Sequence, residues 1–112
     1  MLDYARDEAE KHQLTVEEVV WVPGAMEVPL ACNRLVESVA GIACLGIIEK
    51  GETQHGLAMG QAVIREIIEI QLQNDMPIGL GIIGPGAEPE HIEPRLEPHA
   101  RAAVSAIAKM LR

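Results

Sequence analysis

The fold class is decided by the stretch GIACLGIIEKGETQH, residues 41–55. Its first eight residues carry no charge, and charge begins at Glu49 and Lys50. A continuous apolar run of this length is typical of a strand in a parallel sheet whose two faces are both covered. Gly51 permits a tight turn and Thr53 is a favourable helix N-cap, so the stretch predicts a strand, a loop and a helix in succession.

The flanking sequence alternates between helical and extended patterns. Apolar residues at helical spacing predict four helices, at residues 2–13, 28–39, 53–74 and 92–111. Apolar runs that stop at glycine and proline predict two further strands, at residues 15–22 and 78–83. This alternation predicts one α/β domain over residues 1–112, a three-layer α/β/α sandwich around a parallel sheet.

Composition restricts the function classes. The 112 residues include 9 basic and 17 acidic side chains, a formal charge of −8, and only 2% aromatic residues. Such a chain repels phosphate backbones and offers little surface on which bases could stack, which argues against nucleic-acid binding. No apolar run is long enough to span a membrane, and the N-terminus lacks a signal-peptide pattern. Two cysteines among apolar residues suit a reducing compartment, so we expect a cytoplasmic protein with no membrane contact.

Ligands of open parallel sheets bind beyond the carboxyl ends of the strands, where three glycine-containing loops are expected. In the middle loop, the free amides of the following helix and the Thr53 hydroxyl would form an anion site. His55 would stand over that site and could move protons near neutral pH. The alternative is that Thr53 only caps the helix and that His55 is a solvated surface residue.

Glu27 and Arg95 are the other charged candidates. Glu27 lies in the first loop, where a carboxylate could bind ligand hydroxyls or only complement a helix dipole. Arg95 is the one cation within the acidic stretch of residues 88–97. It could bind a phosphate through two parallel hydrogen bonds, or form ordinary surface ion pairs.

Three other chemistries are disfavoured by the sequence. Residues 79–84 fit the G-x-G-x-x-G pattern of dinucleotide folds, but they lie within a predicted strand and precede Pro85-Gly86 instead of a helix. The four histidines do not combine with cysteine or acidic residues at metal-ligand spacing. Cys32 and Cys44 lie on apolar segments, where a thiol is expected to remain protonated and inert.

Three motifs follow one another in the chain: VPGAMEVPLA at residues 22–31, GETQH at residues 51–55 and LGIIGPG at residues 80–86. Together they resemble the 6,7-dimethyl-8-ribityllumazine synthase family, with the second and third motifs most like archaeal members. The resemblance covers about the whole of residues 1–112. It implies a flavodoxin-like strand order, no metal or cofactor, and homo-oligomers that are either pentamers or icosahedral shells of sixty subunits.

The resemblance also implies an activity and a set of site residues. Members are transferases of riboflavin biosynthesis that condense 5-amino-6-ribitylaminouracil with 3,4-dihydroxy-2-butanone 4-phosphate. His55 matches the family's proton-transfer histidine. The matched phosphate-binding residues are Gly51, Glu52, Thr53 and Arg95, with Arg101 in a region where many members carry lysine. The matched pyrimidine and ribityl-chain residues are Ala25, Met26, Glu27, Ile48 and Leu80.

The chain departs from the family pattern at its start. Members open with a strand and an aromatic residue that stacks on the pyrimidine, whereas this sequence begins at the following helix. We therefore expect the first strand to be missing and apolar edges to be exposed, with Trp21 in the core. The chain is either a shortened enzyme or a natural short relative. The functional alternatives are a non-catalytic oligomeric or flavin-type ligand-binding relative, and an archaeal-type riboflavin synthase.

Overall fold

The computed structural model describes residues 1–111, in which helices and strands alternate. The elements are α1 Leu2–Lys11, α2 Val28–Leu35, β1 Ile42–Glu49, α3 His55–Asn74, β2 Ile78–Ala87, α4 Pro89–Ile92 and α5 Leu96–Met110. Short 3-10 turns cover Ala25–Glu27 and Glu93–Arg95. The helix predicted over residues 92–111 is broken near Pro94, because proline cannot donate the backbone hydrogen bond that a continuous helix requires.

The two strands pair in parallel, in register from Ile42 opposite Ile78 to Ile47 opposite Ile83. The register shifts between Ile47 and Glu49, so that Glu49 pairs with Ala87. β2 is therefore longer than predicted and includes the Gly84-Pro85-Gly86 segment that the sequence suggested as a loop. Two strands establish parallel pairing, whereas the flavodoxin-like order of a wider sheet stays a prediction.

Helices cover both faces of this sheet, which confirms the predicted three-layer arrangement. One buried cluster joins the sheet to α2 and α3; its members are Cys32, Cys44, Ile48, Val63, Ile67, Ile70, Met76, Ile78 and Ile82. A second cluster joins α1 to α5; its members are Ala5, Ala9, Ala100 and Val104, with Ala43 and Leu45 of β1 packed against it. Because adjacent strand residues point to opposite faces, Cys44 contacts the first cluster and its neighbours the second.

The glycines of the G-x-G-x-x-G pattern have a packing role. Gly79 lies within β2, and a Cβ atom there would overlap the carbonyl group of Ala103 on α5. A Cβ at Gly81 would lie 2.7 Å from Leu45 and 3.2 Å from Ala103. The pattern thus lets α5 approach the strand closely, and it has neither the position nor the following helix of a dinucleotide site.

The strand predicted over residues 15–22 does not form. Within residues 1–111, the sheet contains only β1 and β2, and residues 14–22 have no assigned helix or strand. The β-branched residues favour an extended backbone, but a strand also needs a neighbour with which to exchange hydrogen bonds. Trp21 is 81% exposed, so its predicted place in the core is wrong.

A large apolar cavity separates this segment from the sheet. Its volume is about 670 Å³, and it is lined by α1, residues 13–22, α2 and the edge of β1. This cavity shares no lining residue with the smaller cavity at the carboxyl end of β2. Among the helices that the structure describes, none combines the length and apolar character needed to cross a bilayer.

Candidate active site

The carboxyl ends of β1 and β2 lie side by side and are joined by Lys50. The Lys50 backbone N–H donates to the Ala87 carbonyl at 2.8 Å, and its ammonium group lies 3.1 Å from a Glu88 carboxylate oxygen. This pair lowers the pKa of Glu88, chiefly through the hydrogen bond from Lys50. The loop after β1 and the segment after β2 therefore form one continuous edge, as the parallel sheet predicts.

The first turn of α3 stands at this edge. The helix begins at His55, and the His55 N–H donates to the Thr53 hydroxyl at 3.3 Å. The Thr53 side chain thus accepts a hydrogen bond from the first amide of α3. The N-cap position itself is occupied by Gln54 and not by Thr53. A Cβ at Gly56 would lie 3.5 Å from the Glu49 carbonyl oxygen, so this turn of α3 lies close to the end of β1.

The predicted phosphate loop is solvent-accessible. Gly51, Glu52, Thr53 and His55 are all exposed, and the α3 amides beyond His55 begin at the same place. A helix N-terminus carries a partial positive charge that favours anions. The loop therefore offers exposed N–H and hydroxyl hydrogen-bond donors on one side of the edge. The exposed His55 side chain is in a position to contact a molecule bound there.

Arg95 lines a separate cavity of about 200 Å³ at the same edge. The lining residues are Ile83, Gly84, Pro85, Gly86, Ala87, His91, Arg95 and His99. Arg95 Nη1 donates to the His91 carbonyl at 2.9 Å, and among residues 1–111 no carboxylate forms an ion pair with its guanidinium. Its remaining N–H groups are available to an anion, with the fork geometry that suits phosphate.

His91 and His99 are site candidates that the sequence analysis missed. His91 Nδ1 accepts a hydrogen bond from the Glu88 backbone N–H at 3.3 Å, so the neutral ring carries its proton on Nε2. Residues 91, 95 and 99 recur every four positions, a spacing that places side chains on one face of a helix. That four-residue periodicity is the signal in the sequence that indicates the cluster, whereas metal-ligand spacing does not reveal it.

Arg101 lies elsewhere, between α5 and α1. Its guanidinium is 2.7 Å from Asp7, 3.2 Å from Glu8 and 2.8 Å from Glu97, and it stands 5.5 Å from the centre of the Tyr4 ring. The hydrogen bonds to Glu97 and Asp7 raise its pKa above the ordinary value. The structure does not bring Arg101 to the Arg95 cavity, and its phosphate role stays a prediction.

The first loop forms the 3-10 turn Ala25–Glu27, which packs against α3. Ala25 is half-buried beside the core, whereas Met26 and Glu27 are exposed. The Glu27 carboxylate folds back toward Gly24, since one of its oxygens would lie 3.3 Å from a Cβ built there. The loop presents one carboxylate and one flexible apolar side chain to solvent, which suits a ligand that has both hydroxyls and an apolar ring.

The remaining two predicted residues lie deeper. Ile48 is 5% exposed, and Leu80 is partly buried against the same cluster. Ile48 lies at the carboxyl end of β1, whereas Leu80 is the third residue of β2 and pairs with Cys44, away from that edge. Within the described part of the chain, no group of three or more His, Cys, Asp or Glu side chains is arranged to hold a metal ion.

These features define an α/β protein in which a loop, a helix N-terminus and an arginine–histidine cavity adjoin the ends of two parallel strands and form a candidate anion site. Comparison with known proteins narrows the class. The sequence profile of the 6,7-dimethyl-8-ribityllumazine synthase family matches residues 1–112. The chain belongs to this family.

Individual relatives agree with the family match. The chain is 38% identical over 113 residues to the 6,7-dimethyl-8-ribityllumazine synthase of Staphylothermus marinus, covering 99% of this chain and 75% of the relative. The proteins of the same name from Metallosphaera sedula and Saccharolobus solfataricus are 37% and 34% identical over 114 residues, with 76% and 74% of their lengths covered. These names support the synthase hypothesis over the riboflavin synthase and non-catalytic alternatives.

Proposed function

We propose that this chain condenses 5-amino-6-ribitylaminouracil with 3,4-dihydroxy-2-butanone 4-phosphate to 6,7-dimethyl-8-ribityllumazine, a step of riboflavin biosynthesis. The observation that carries the proposal is the family match over residues 1–112. The geometry supports it, because the reaction needs a phosphate site and a proton carrier close together. Arg95 and the amides at the α3 N-terminus donate hydrogen bonds to the phosphate, and His55 is the proton carrier.

The phosphate substrate would be held from two sides. Gly51, Glu52 and Thr53 supply the loop before α3, and Arg95 supplies a guanidinium beside the end of β2. The chain's net charge of −8 opposes a dianion. Local donors offset it, since the Glu88 carboxylate is already paired with Lys50 and Arg95 has no carboxylate partner among the described residues.

The pyrimidine substrate would lie against the Ala25–Glu27 turn, with Glu27 accepting hydrogen bonds from ribityl hydroxyls. Ile48 at the carboxyl end of β1 would contact the ring, and the family resemblance gives the same role to Leu80, which lies deeper in β2. The amine of this substrate attacks the ketone with loss of water. Phosphate then leaves after a neighbouring proton is removed, and ring closure releases a second water. His55 moves protons in these steps, and juxtaposition of the two substrates supplies much of the acceleration.

In the decisive experiment, purified protein is mixed with both substrates and the formation of the fluorescent lumazine is measured over time. We expect acceleration over the uncatalysed reaction and a roughly 100-fold loss in His55→Ala, the size typical of a general acid–base residue. His12→Ala is the matched control, because His12 is the C-cap residue of α1 and contacts Glu8 instead of the site. No acceleration by folded wild-type protein, or equal losses in both variants, would refute the proposal.

The family relationship also supports a homo-oligomeric, cytoplasmic enzyme. We propose a pentamer or a sixty-subunit shell, as the sequence resemblance implies. Large apolar side chains that remain on the surface are available for contacts between subunits; they include Trp21, Met26, Leu30, Leu72 and Met110. Two free thiols suit a reducing compartment.

A further inference from the structure

The only two cysteines of the sequence meet in the core. Cys32 lies on α2 and Cys44 on β1, and their sulfur atoms are 3.4 Å apart. Both residues are buried, at 2% and 5% exposure. Twelve residues separate them in the chain, and nothing in their local sequence indicated that they would be paired.

The two thiols are chemically unequal. The hydrogen bond with Cys44 lowers the pKa of Cys32, because the S–H of Cys44 stabilises a thiolate at Cys32. The same hydrogen bond, together with burial, raises the pKa of Cys44. An attacking thiolate and a protonated neighbour are the two parts that a disulfide exchange reaction uses.

A route to the sulfurs exists. Both cysteines line the apolar cavity of about 670 Å³ beside α1 and residues 13–22. Closing the bond requires the sulfurs to approach from 3.4 Å to about 2.05 Å, a shift within reach of side-chain rotation. A small disulfide can therefore enter the cavity, and the pair can close without unfolding of α2.

We propose that Cys32 and Cys44 are a redox-active dithiol that closes to an intramolecular disulfide. The oxidant is a low-molecular-weight disulfide. The Cys32 thiolate attacks one of its sulfurs and releases one thiolate, which leaves a mixed disulfide on Cys32. Cys44 then loses its proton and attacks Cys32, which releases the second thiolate. The protein loses two hydrogens and two electrons, and the small disulfide is reduced to two thiols.

The disulfide would link α2 to β1, and each of these elements adjoins a loop of the candidate site. α2 follows the Ala25–Glu27 turn, and β1 leads into the loop at residues 50–54. Neither thiol takes part in the proposed condensation, so this inference stands independently of that function. Closing a loop of this length stabilises a fold, and we expect the oxidised protein to unfold roughly 5 °C or more above the reduced one.

The test incubates the native protein with oxidised glutathione and then measures intact mass and free thiols. We expect a mass lower by two hydrogens, no free thiol after denaturation, and a peptide cross-link between residues 32 and 44. Dithiothreitol should reverse all three. Two unmodified thiols, a stable glutathione adduct on the wild-type protein, or linkage between chains would each overturn the proposal.

Single variants test the assigned order of attack. Cys44→Ser should accumulate a glutathione adduct at Cys32, because the resolving thiol is absent. Cys32→Ser should react much more slowly, because the remaining Cys44 thiol is buried and burial opposes formation of its thiolate. Equal reaction of the two variants would contradict the assignment.

A measurement on the wild-type chain does not depend on variants that fold poorly. In glutathione redox buffers, the effective concentration of the dithiol should be roughly 100-fold higher in the native protein than in denaturant. Equal values in the two states would mean that the fold does not favour the bond, and the proposal would fail.

Discussion

Arg95 is the residue on which phosphate binding should depend most. Replacement by alanine removes charge-assisted hydrogen bonds that are worth about 1.5–3 kcal/mol, so kcat/KM for the phosphate substrate should fall roughly 10- to 100-fold. Arg95→Lys should recover part of the loss, since an ammonium keeps the charge and loses the fork. The measurement is lumazine formation at varied phosphate substrate.

The control for this prediction is Arg34→Ala, which removes an exposed arginine of α2 outside the cavity. Its kinetics should match those of the wild-type protein. An Arg95→Ala variant that folds normally and retains the wild-type kcat/KM would exclude a phosphate contact.

The close packing of α5 against Gly79 leads to a second prediction. A Cβ there would overlap the Ala103 carbonyl, so Gly79→Ala must push α5 away from β2 at a cost of about 1–3 kcal/mol. Gly46 of β1 is the matched control, because a Cβ there meets nothing within 4 Å. Gly46→Ala should change the free energy of unfolding by less than about 1 kcal/mol. Chemical denaturation measures both, and equal effects would show that the close approach is unimportant.

Sequence reasoning can place residues together when they are neighbours in the chain, and it fails where the partners are distant. Gly51, Thr53 and His55 lie together because they are neighbours in the chain. Two of the three carboxylate partners of Arg101 lie 93 and 94 positions away, at Glu8 and Asp7. No local pattern reveals such a contact, which depends on how α1 packs against α5.

At the scale of elements, the buried strands are the most predictable part. The runs at residues 41–48 and 78–83 are apolar throughout, and the structure confirms that they form strands with helices on both sides. Residues 15–22 have similar β-branched composition but form no ladder. Composition reports the preference of a segment, whereas pairing depends on the neighbours that tertiary structure provides.

The packing of α1 on α5 should be sensitive to acid. The hydrogen bond from Arg101 lowers the pKa of Asp7 below its ordinary value, and those from His12 and then Arg101 lower the pKa of Glu8. A carboxylate with a depressed folded-state pKa contributes its full stability above its unfolded pKa. That contribution is lost as the pH falls through the folded-state value.

Thermal unfolding at pH 6 and pH 3, followed by circular dichroism, measures this effect. Arg101→Met should be less stable than the wild-type protein at pH 6, and the difference should shrink at pH 3. Lys109→Met, near the end of α5, is the control and should show no such convergence. A difference that is constant with pH would mean that the ion pairs do not hold α1 to α5.

At the scale of the whole molecule, the exposed apolar surface is unevenly distributed. Val19, Val20 and Trp21 are consecutive and exposed, and Met26 and Leu30 follow within ten residues. On α3, Leu72 is 74% exposed, and Ile68 one turn earlier is also exposed. A surface of several large apolar side chains is typical of a protein interface, whereas one or two exposed aliphatic side chains are ordinary.

We therefore predict that the chain self-associates through the surface formed by residues 19–21, 26 and 30. Light scattering should give a mass that is a multiple of 12.1 kDa, and the emission of Trp21, the sole tryptophan, should shift to the blue as concentration rises. Val20→Asp should weaken association at least roughly 10-fold, because a charge buried in an interface costs more than 1.4 kcal/mol. Leu72→Asp should leave the mass unchanged. A 12.1 kDa species at every concentration would contradict self-association, and a larger effect of Leu72→Asp would place the interface on α3 instead.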